Sequence, residues 1–482
     1  MGESTLKEKT SKGLFWGGMS SFLQQLLNAA FGIYLARTLS PDDYGLVGML
    51  AVFTVLAQAL QESGFISALI NRKEIRHEDY NSVFWFSIIV SAVCYLILFF
   101  CAPLIAAYFR HPELIPLARW IFICFLFSGF GVAQRAYLTK QLKIKEIAIS
   151  GILSAAVSGI VGVYLAYRGM AYWALVVQSI LSAVLLSGGL WFYSSWRPTL
   201  KLDFGPVKEM FRYSVNLLIP GLLCTLSSHL LTLILGRFYS AKRVGYYTQA
   251  NKWYNMGGSV LAGMVNSVGQ PVLAEVTDDR ERQLRVFRKM IRFAAFISFP
   301  ALLGLAFIAP EFIVGALSDK WMDSIPLLQI LCAGGIVLPL IHLCSNLLLS
   351  HGKSNIHMWI NVASFILVLT VALLARPYGI VWMVIGLSAS NVVMFLVWYF
   401  YVRRELHYKV KELLLDLLPF LLFSLVSMAG AELVSRGIDG LWWRLAVKIL
   451  VTAGIYVVLM RLSNSVTYKE CVGFLRKRIK IG

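Results

Sequence analysis

About fourteen long apolar segments run through the chain, joined by short polar connections. Each is long enough to cross the hydrocarbon core of a bilayer, which takes about 20 helical residues. Lipid offers no partner for unpaired backbone groups, and barrel strands would be only about ten residues long, so these segments must be helices. The sequence therefore predicts an all-α polytopic membrane protein with about 14 transmembrane helices. The predicted limits are 13–37, 44–70, 81–107, 114–135, 147–167, 171–194, 214–236, 244–269, 286–309, 326–350, 355–375, 378–402, 413–435 and 441–461.

Composition supports a membrane protein and argues against a nucleic-acid partner. Of the 482 residues, 58% are hydrophobic and 14% are charged, whereas soluble proteins average about 25% charged residues. The net charge of +19 comes from Lys and Arg in short connections, not from one basic face with interleaved aromatic residues. Most of the 44 Lys and Arg fall on alternate connections, which the positive-inside rule assigns to the cytoplasm. An even number of spans then places both termini in the cytoplasm.

Cysteine usage and known motifs suggest no metal site and no cofactor. None of the seven cysteines forms a spaced pair in an outer connection, so neither a disulfide framework nor a zinc site is expected. The sequence contains no P-loop, which disfavours ATP-driven transport by this chain alone.

Two stretches, LARTLSPDDYGL and LGRFYSAKRVGY, match one another without a gap, and each joins two long segments. Each stretch links the first and second helices of a six-helix block. We therefore predict two lobes related by an axis along the membrane normal, which is a parallel repeat. The matching residues are Leu35, Arg37, Ser40 and Gly45 in the first stretch and Leu235, Arg237, Ser240 and Gly245 in the second.

The repeat and the charge pattern together predict the domain organisation. The predicted parts are an N-lobe at 1–194, a cytoplasmic lobe linker at 195–213, a C-lobe at 214–402, and two extra helices with a basic tail at 403–482. Part of the linker, from about Gly205 to Tyr213, is predicted to be an amphipathic helix at the membrane surface. Its basic residues either set topology and contact anionic lipid, or capture an anionic lipid headgroup.

Lys252 lies inside the eighth apolar segment, about 13 Å of helix from Arg243 and near the middle of the hydrocarbon core. A charge at that depth costs about 3 kcal/mol or more. Either Lys252 contacts an anionic substrate in a cavity, or it snorkels or pairs with a carboxylate. Helical spacing places Thr248, Lys252 and Asn255 on one face, with Asn251 adjacent.

The first matching stretch continues into a sequence that resembles the opening of polysaccharide transporter family proteins. These belong to the multidrug/oligosaccharidyl-lipid/polysaccharide exporter superfamily. The turn RTLSPDDYG and the later ESG carry the resemblance, and ILGRFYSAKRVGYYTQANKW is similar to the start of that family's second lobe. The span count, the linker and the two extra helices agree with it. Colanic-acid-type and teichuronic-acid-type exporters look most similar.

The resemblance implies a flippase of the bacterial cytoplasmic membrane. Its substrate would be a polyprenyl-diphosphate-linked oligosaccharide, moved from the inner to the outer leaflet by alternating access for cell-surface polysaccharide assembly. Two six-helix lobes would form a V, with the polar head crossing a central cavity while the lipid tail stays in the bilayer. Membrane lipids, a polysaccharide polymerase and assembly proteins are the implied partners.

That substrate would explain Lys252, because a diphosphate is attracted strongly by a cation in a low-dielectric cavity. Helices 1, 2, 7 and 8 line the cavity in this superfamily, so polar residues there become candidates, with interhelical hydrogen bonding as the alternative. Arg119 would offer a second anion contact. Glu62 either carries a coupling proton or caps or braces its helix before Gly64. The substrate-binding candidates are Lys252, Asn251, Asn255, Thr248, Gln249, Tyr247, Arg119, Gln25, Asn28, Gln58, Asn216 and His229.

Three other functions stay open. A membrane glycosyltransferase or polymerase would need acid–base or metal-binding groups outside the bilayer, and here the outer connections are short with scattered carboxylates. No catalytic residue is therefore predicted. A cation-coupled multidrug exporter shares the architecture, but it should have an acidic or apolar cavity, whereas Lys252 and Arg119 favour an anionic substrate. A flippase for a peptidoglycan lipid precursor would use the same physics.

Overall fold

The computed structural model describes the backbone of residues 3–62, 66, 69, 72, 75–201, 203–463 and 468–470. Within these ranges it describes the side chains from Trp16 onward, except those of 62, 212–213, 216–217, 219–220, 224, 260, 262, 264–268 and 270–271. The regular secondary structure of this part of the chain is all helical, and it contains no strand. A long helix stands at every position predicted from the apolar segments.

The helices are named in chain order. They are α1 Glu3–Thr38, α2 Pro41–Glu62, α3 His77–Phe109, α4 Leu114–Lys140, α5 Ile144–Tyr167, α6 Trp173–Tyr193, α7 Gly205–Phe238, α8 Ala241–Glu275, α9 Arg280–Phe312, α10 Ser324–Ser350, α11 Ser354–Ala375, α12 Ile380–Leu406, α13 Val410–Ser435 and α14 Leu441–Leu462. Two of them are interrupted: α4 after Ile121 and α10 between Gly335 and Leu338. A π-helical turn, Ile313–Leu317, extends α9.

Twelve of these helices are candidate membrane spans over their described residues. The other two, α1 and α8, are long enough to span but more polar. The first carries ESTLKEKT at its start, and the second carries YYTQANKWYN. The predicted all-α polytopic fold is therefore confirmed. For α1 and α8, the prediction that they cross the membrane rests on their length, since they are less apolar than the other helices.

The chain divides into two compact units, Met1–Gly245 and Tyr246–Gly482. In the first unit α5 packs against α1 and α6, while α7 packs against α2 and α3. In the second unit α9 packs against α10, α13 and α14, and α12 packs against α10 and α11. The lobe limits expected from the repeat, with a linker at 195–213, stay a prediction.

The segment between α6 and α7 is held against α3 by hydrogen bonds. The Asn81 amide donates to the Lys201 carbonyl at 2.6 Å and accepts from the Thr199 backbone N–H at 2.8 Å. The indole of Trp85 donates to the Thr199 carbonyl at 2.7 Å. Residues 205–213, predicted to be an amphipathic helix, are helical and form the first turns of α7. Their place at the membrane surface stays a prediction.

The two matching stretches meet in the first unit at the starts of α2 and α8. A Cβ added at Gly45 would overlap the Ala241 carbonyl, and one added at Gly245 would overlap the Pro41 carbonyl. The contact is reciprocal. Gly45 lies against Ala241, the first residue of α8, and Gly245 lies against Pro41, the first residue of α2. Such self-complementary pairing is what a two-fold relation produces. Only glycine allows this backbone approach, which explains why both stretches carry it.

Two ion clusters fasten α13 and α14 to α9 within the second unit. The Lys448 cluster consists of Glu311, Glu432, Arg444 and Lys448. Its Lys448 ammonium lies 2.7 Å from Glu311 and 2.9 Å from Glu432, and Arg444 lies 3.2 Å and 3.3 Å from the same carboxylates. Two cations thus balance two anions. Glu311 and Lys448 are each 4% exposed, so this pairing is what makes their burial tolerable.

The Asp416 cluster lies at the opposite end of α9 and consists of Arg288, Arg292, Glu412 and Asp416. The Arg288 guanidinium donates to Asp416 at 2.7 Å and 3.2 Å, which is bidentate geometry, and to Glu412 at 3.1 Å. The Tyr408 hydroxyl donates to Asp416 at 2.8 Å. Burial first, and then this hydrogen bond, raises the pKa of the Tyr408 phenol, so it remains a donor. With both ends fixed, α13 and α14 form one block with α9.

Candidate functional site

A cavity of about 530 Å³ lies inside the first unit, among α1, α2, α4, α5 and α6. This volume is within the range of small-molecule sites. None of the described residues that line it is charged. Its polar lining consists of Gln24, Asn28, Thr54, Gln58, Ser128, Ser154, Ser158, Gln178, Ser179 and Ser182.

Several hydroxyl groups of this lining donate to backbone carbonyls. Thr54 donates to Ala51 at 2.7 Å, and Ser179 donates to Leu175 at 2.8 Å. Ser154 donates to the Ser182 carbonyl at 2.7 Å. Because each proton is already used in this way, these oxygens face the cavity as acceptors.

Two glutamines of the lining pack over glycines. A Cβ at Gly151 would lie 2.8 Å from the Gln24 amide nitrogen, and one at Gly162 would lie 3.1 Å from the Gln178 side chain. Gln24 also donates to Ser20 at 2.7 Å. The missing Cβ atoms therefore leave room for both amides to lie at the cavity wall.

Two predicted candidates, Asn28 and Gln58, line this cavity, while Gln25 is half-buried on α1 and its neighbour Gln24 contributes instead. The sequence analysis did not single out the serines or Gln178. The signal was present, because Ser150, Ser154 and Ser158 recur at the spacing of one helix face. Small polar residues occur in many apolar helices, so their spacing alone could not identify this cavity.

Lys252 lies half-buried on α8, in the second unit. Its ammonium is 5.7 Å from the centroid of the Trp253 ring, a cation–π contact. Within the described part of the chain, no carboxylate lies within ion-pair distance of this ammonium. The hypothesis that Lys252 pairs with a fixed carboxylate therefore finds no partner there.

The residues around Lys252 offer polar groups without protein partners. Gln249 is 0% exposed, and neither its amide nitrogen nor its oxygen has a hydrogen-bond partner among the described residues. The Thr248 hydroxyl is likewise buried and unpartnered. Tyr247 is buried, and Asn251 is half-buried. Buried polar atoms without partners are rare in folded proteins, so these groups are candidates for contact with water or ligand.

A second cavity, of about 320 Å³, lies inside the second unit beside α8, α9 and the interruption of α10. Asn255, Ser259 and His342 are among its lining residues. A Cβ at Gly335 would overlap the Tyr254 ring, so this glycine lets α8 and α10 approach. Asn255 lies about one turn along the helix from Lys252, and its contact with a substrate stays a prediction.

Lys252, Arg119 and His229 are not among the described residues that line the two cavities. The Arg119 guanidinium packs 4.5 Å from the Phe99 ring centroid, and its Nε is buried without a hydrogen-bond partner. His229 is half-buried on α7. The side chains of Asn216 and Glu62 lie outside the described residues, so their predicted roles stay predictions.

The described residues offer hydrogen bonding in the two cavities and, at Lys252 on α8, a cation without a described carboxylate partner. Among the described residues, no group of three or more His, Cys, Asp or Glu could hold a metal ion. The arrangement suits recognition of a molecule that is polar and partly anionic.

Solved structures of several transporters share this fold. A lipid II flippase, MurJ, in an inward closed conformation superposes with a TM-score of 0.78 at 14% identity, over 95% of this chain and 99% of that one. A multidrug resistance MATE family transporter in an inward-facing conformation gives 0.66 at 18% identity, over 80% and 94%. At such identities the likeness concerns the fold alone.

Curated relatives extend over most of the chain. The lipopolysaccharide biosynthesis protein WzxC of Escherichia coli (strain K12) is 26% identical, over 90% of this chain and 89% of that protein. The teichuronic acid biosynthesis protein TuaB of Bacillus subtilis (strain 168) is 23% identical, over 73% of each. A family model described as polysaccharide biosynthesis protein matches residues 34–326, which is more than half of the chain. This chain therefore belongs to the polysaccharide biosynthesis protein family.

Proposed function

We propose that this protein moves a polyprenyl-diphosphate-linked oligosaccharide from the inner to the outer leaflet of a bacterial cytoplasmic membrane. Movement occurs by alternating access and supplies cell-surface polysaccharide assembly. Membrane lipids, and a polymerase with its assembly proteins, are the proposed partners. Both termini face the cytoplasm in this proposal, as the distribution of Lys and Arg indicates.

The observation that carries the proposal is the unpaired ammonium of Lys252. A helix in lipid keeps a charge only where something compensates its cost. No described carboxylate does so, and Trp253 supplies only a cation–π contact at 5.7 Å. A diphosphate would supply charge-assisted hydrogen bonds to the ammonium, which are among the strongest in proteins.

The polar surroundings of Lys252 fit the rest of such a substrate. Asn255 lines the cavity of the second unit, and the amide of Gln249 lacks a described partner. Amides donate and accept at once, as sugar hydroxyls also do. The relatives support the same class, because their names concern lipopolysaccharide, teichuronic acid and, for the Rhizobium meliloti protein ExoT, succinoglycan biosynthesis transport.

Transport, rather than catalysis, is the activity we propose. Glycosyl transfer or polymerisation would need positioned acid–base groups or a metal ion near the sugar. The cavity of the first unit is lined by amides, hydroxyls and apolar groups. These groups can hold a sugar but offer no general base.

The test follows a fluorescent polyprenyl-diphosphate oligosaccharide between leaflets of reconstituted vesicles. Lys252→Ala should slow transfer about 10- to 100-fold, since a hydrogen bond to a charged group contributes about 1.5–3 kcal/mol. Lys252→Arg should keep part of the rate, because it retains the charge.

Lys242→Ala is the matched control, since it removes an exposed lysine from the first turn of the same helix. It should transfer at the wild-type rate. Membrane yield and unfolding temperature are measured for every variant. Normal transfer by well-folded Lys252→Ala protein would remove Lys252 from the substrate path, whereas no transfer by the wild type would reject the function itself.

A further inference from the structure

We propose that the cavity of the first unit is a subsite for the uncharged sugar residues of the transported head, and that it excludes sugars carrying a carboxylate or phosphate. This inference rests on the proposed function and adds a substrate class to it. It places neutral sugars in a cavity of about 530 Å³ built by α1, α2, α4, α5 and α6.

Three amides of the cavity are open to a ligand. Asn28, Gln58 and Gln178 line it, and none of them has a hydrogen-bond partner among the described residues. Gln178 is kept at the wall by its packing over Gly162, where a Cβ would lie 3.1 Å away. Each amide presents two N–H donors and one carbonyl acceptor. A neighbouring pair of sugar hydroxyls needs the same combination.

The hydroxyl-bearing residues add acceptors. Thr54, Ser154 and Ser179 donate their protons to backbone carbonyls at 2.7–2.8 Å, so their lone pairs remain for a ligand. The wall therefore accepts hydrogen bonds at several points and donates them from the amides.

The absence of charge from the lining makes the cavity selective. The described lining residues include no Lys, Arg or His that could compensate a carboxylate. Transferring an ion into such a cavity without a counter-ion is costly, whereas a neutral hydroxyl exchanges water for amides and hydroxyls. The candidate cation Lys252 is not among the described residues of this lining and belongs to the second unit. Neutral and anionic parts of the head are thus recognised by different residues.

A transfer experiment tests the effect of the sugar's negative charge separately from that of its size. Three lipid-linked trisaccharides are compared in reconstituted vesicles: a fully neutral one, one with a glucuronic acid residue, and the methyl ester of that glucuronate. The neutral compound and the ester should move at similar rates, and the free acid should move about tenfold more slowly or worse. Gln178→Lys should reduce this difference, and Gln178→Glu should widen it. Equal rates for acid and ester would overturn the inference.

Occupancy can be measured without transport, because Cys124 lines the same cavity and its thiol is free. Alkylation of Cys124 by a neutral maleimide is followed by peptide mass spectrometry in the wild-type protein. A neutral lipid-free trisaccharide should slow it at least twofold, and the glucuronate-containing one should not. Cys101 on α3 is the internal control, since it is also free and does not line the cavity.

The two readouts separate failure of the inference from failure of the function. Protection of Cys124 by both trisaccharides, or by neither, overturns the subsite. If the wild type transfers no lipid-linked compound, the flippase function fails, while Cys124 still reports whether neutral sugar enters the cavity. If Cys124 resists alkylation altogether, the comparison of acid with ester decides.

Discussion

Two lysines lie inside long helices of the second unit, and their surroundings differ. Lys448 on α14 is 4% exposed, and its ammonium lies 2.7 Å from Glu311 and 2.9 Å from Glu432. The Phe307 ring lies 4.4 Å from the same ammonium. Lys252 on α8 is half-buried, and no described carboxylate lies within ion-pair distance of it.

The comparison shows that the presence of an ion-pair partner distinguishes a structural charge from a charge that can bind a ligand. The position of the lysine within its helix does not. A paired charge is stabilised by its neighbours, and removing it leaves those neighbours uncompensated. An unpaired charge contributes no such stabilisation and is open to a ligand. The same residue type inside a long helix therefore predicts opposite consequences for stability and for transport, depending on its partners.

The largest loss of stability should follow Lys448→Met. Glu311 would keep only Arg444 among its described ion-pair partners, and Glu432 would keep Arg444 and the more exposed Arg436 at 4.0 Å. Breaking a buried ion pair typically costs about 3–5 kcal/mol. We expect a clear drop in unfolding temperature in detergent micelles. The rate of transfer per folded molecule should change less than the amount of folded protein.

The double variant Glu311→Gln with Lys448→Met is the control for this prediction. It removes one buried carboxylate together with its cation, so part of the lost stability should return. If Lys448→Met unfolds at the wild-type temperature, the Lys448 cluster does not hold α14 in place. Lys448 would then not be a structural charge, and its contrast with Lys252 would fail.

A smaller loss should follow Arg288→Met in the Asp416 cluster. Arg288 retains about a quarter of its side-chain exposure, so solvent already weakens its pairing. Arg292, 3.6 Å away, and Tyr408 also remain beside Asp416. We expect a loss of about 1.5 kcal/mol, the low end for hydrogen bonds to charged groups. Denaturant unfolding in micelles measures it.

Lys289→Met is the neighbouring control. Lys289 pairs with Glu470 at 2.9 Å, but its side chain is 62% exposed. Exposed pairs contribute little, so stability should stay within about 0.5 kcal/mol of the wild type. Equal losses for Lys289→Met and Arg288→Met would show that the Asp416 cluster adds nothing beyond ordinary surface pairing.

Much of the fold was predictable, because lipid restricts a spanning segment to one conformation. Apolar length placed every long helix, and the matching LSPDDYG and YSAKRVG turns predicted related helix starts. Ser40 begins α2 as a capping box with Asp43, the local signal that this turn contains. The reciprocal contact of Gly45 with Gly245 was not predictable, since it depends on how α2 and α8 meet. Nor did apolar length show the interruptions of α4 and α10.

The candidate site was less predictable, because a cavity is a property of several helices together. Lys252 stood out as one charge in an apolar run, and Asn28, Gln58 and Asn255 were found where cavities lie. Lys448 also lies within an apolar segment, at 441–461, yet the sequence analysis passed over it. Only tertiary packing shows that Glu311 and Glu432 meet it. Sequence alone gives the charges but not their partners.

The smallest change in stability should follow Lys252→Met, which tests the comparison directly. Methionine keeps a similar length and removes a charge that has no described ion-pair partner. The free energy of unfolding should therefore change by less than about 0.5 kcal/mol, or rise, while leaflet-to-leaflet transfer falls as in Lys252→Ala. Calorimetry and the vesicle assay on the same preparation give both quantities. A loss of stability as large as that of Lys448→Met would mean that Lys252 braces the helix bundle. In that event both lysines would be structural, and the diphosphate contact would have to be sought elsewhere, with Arg119 as the next cation to test.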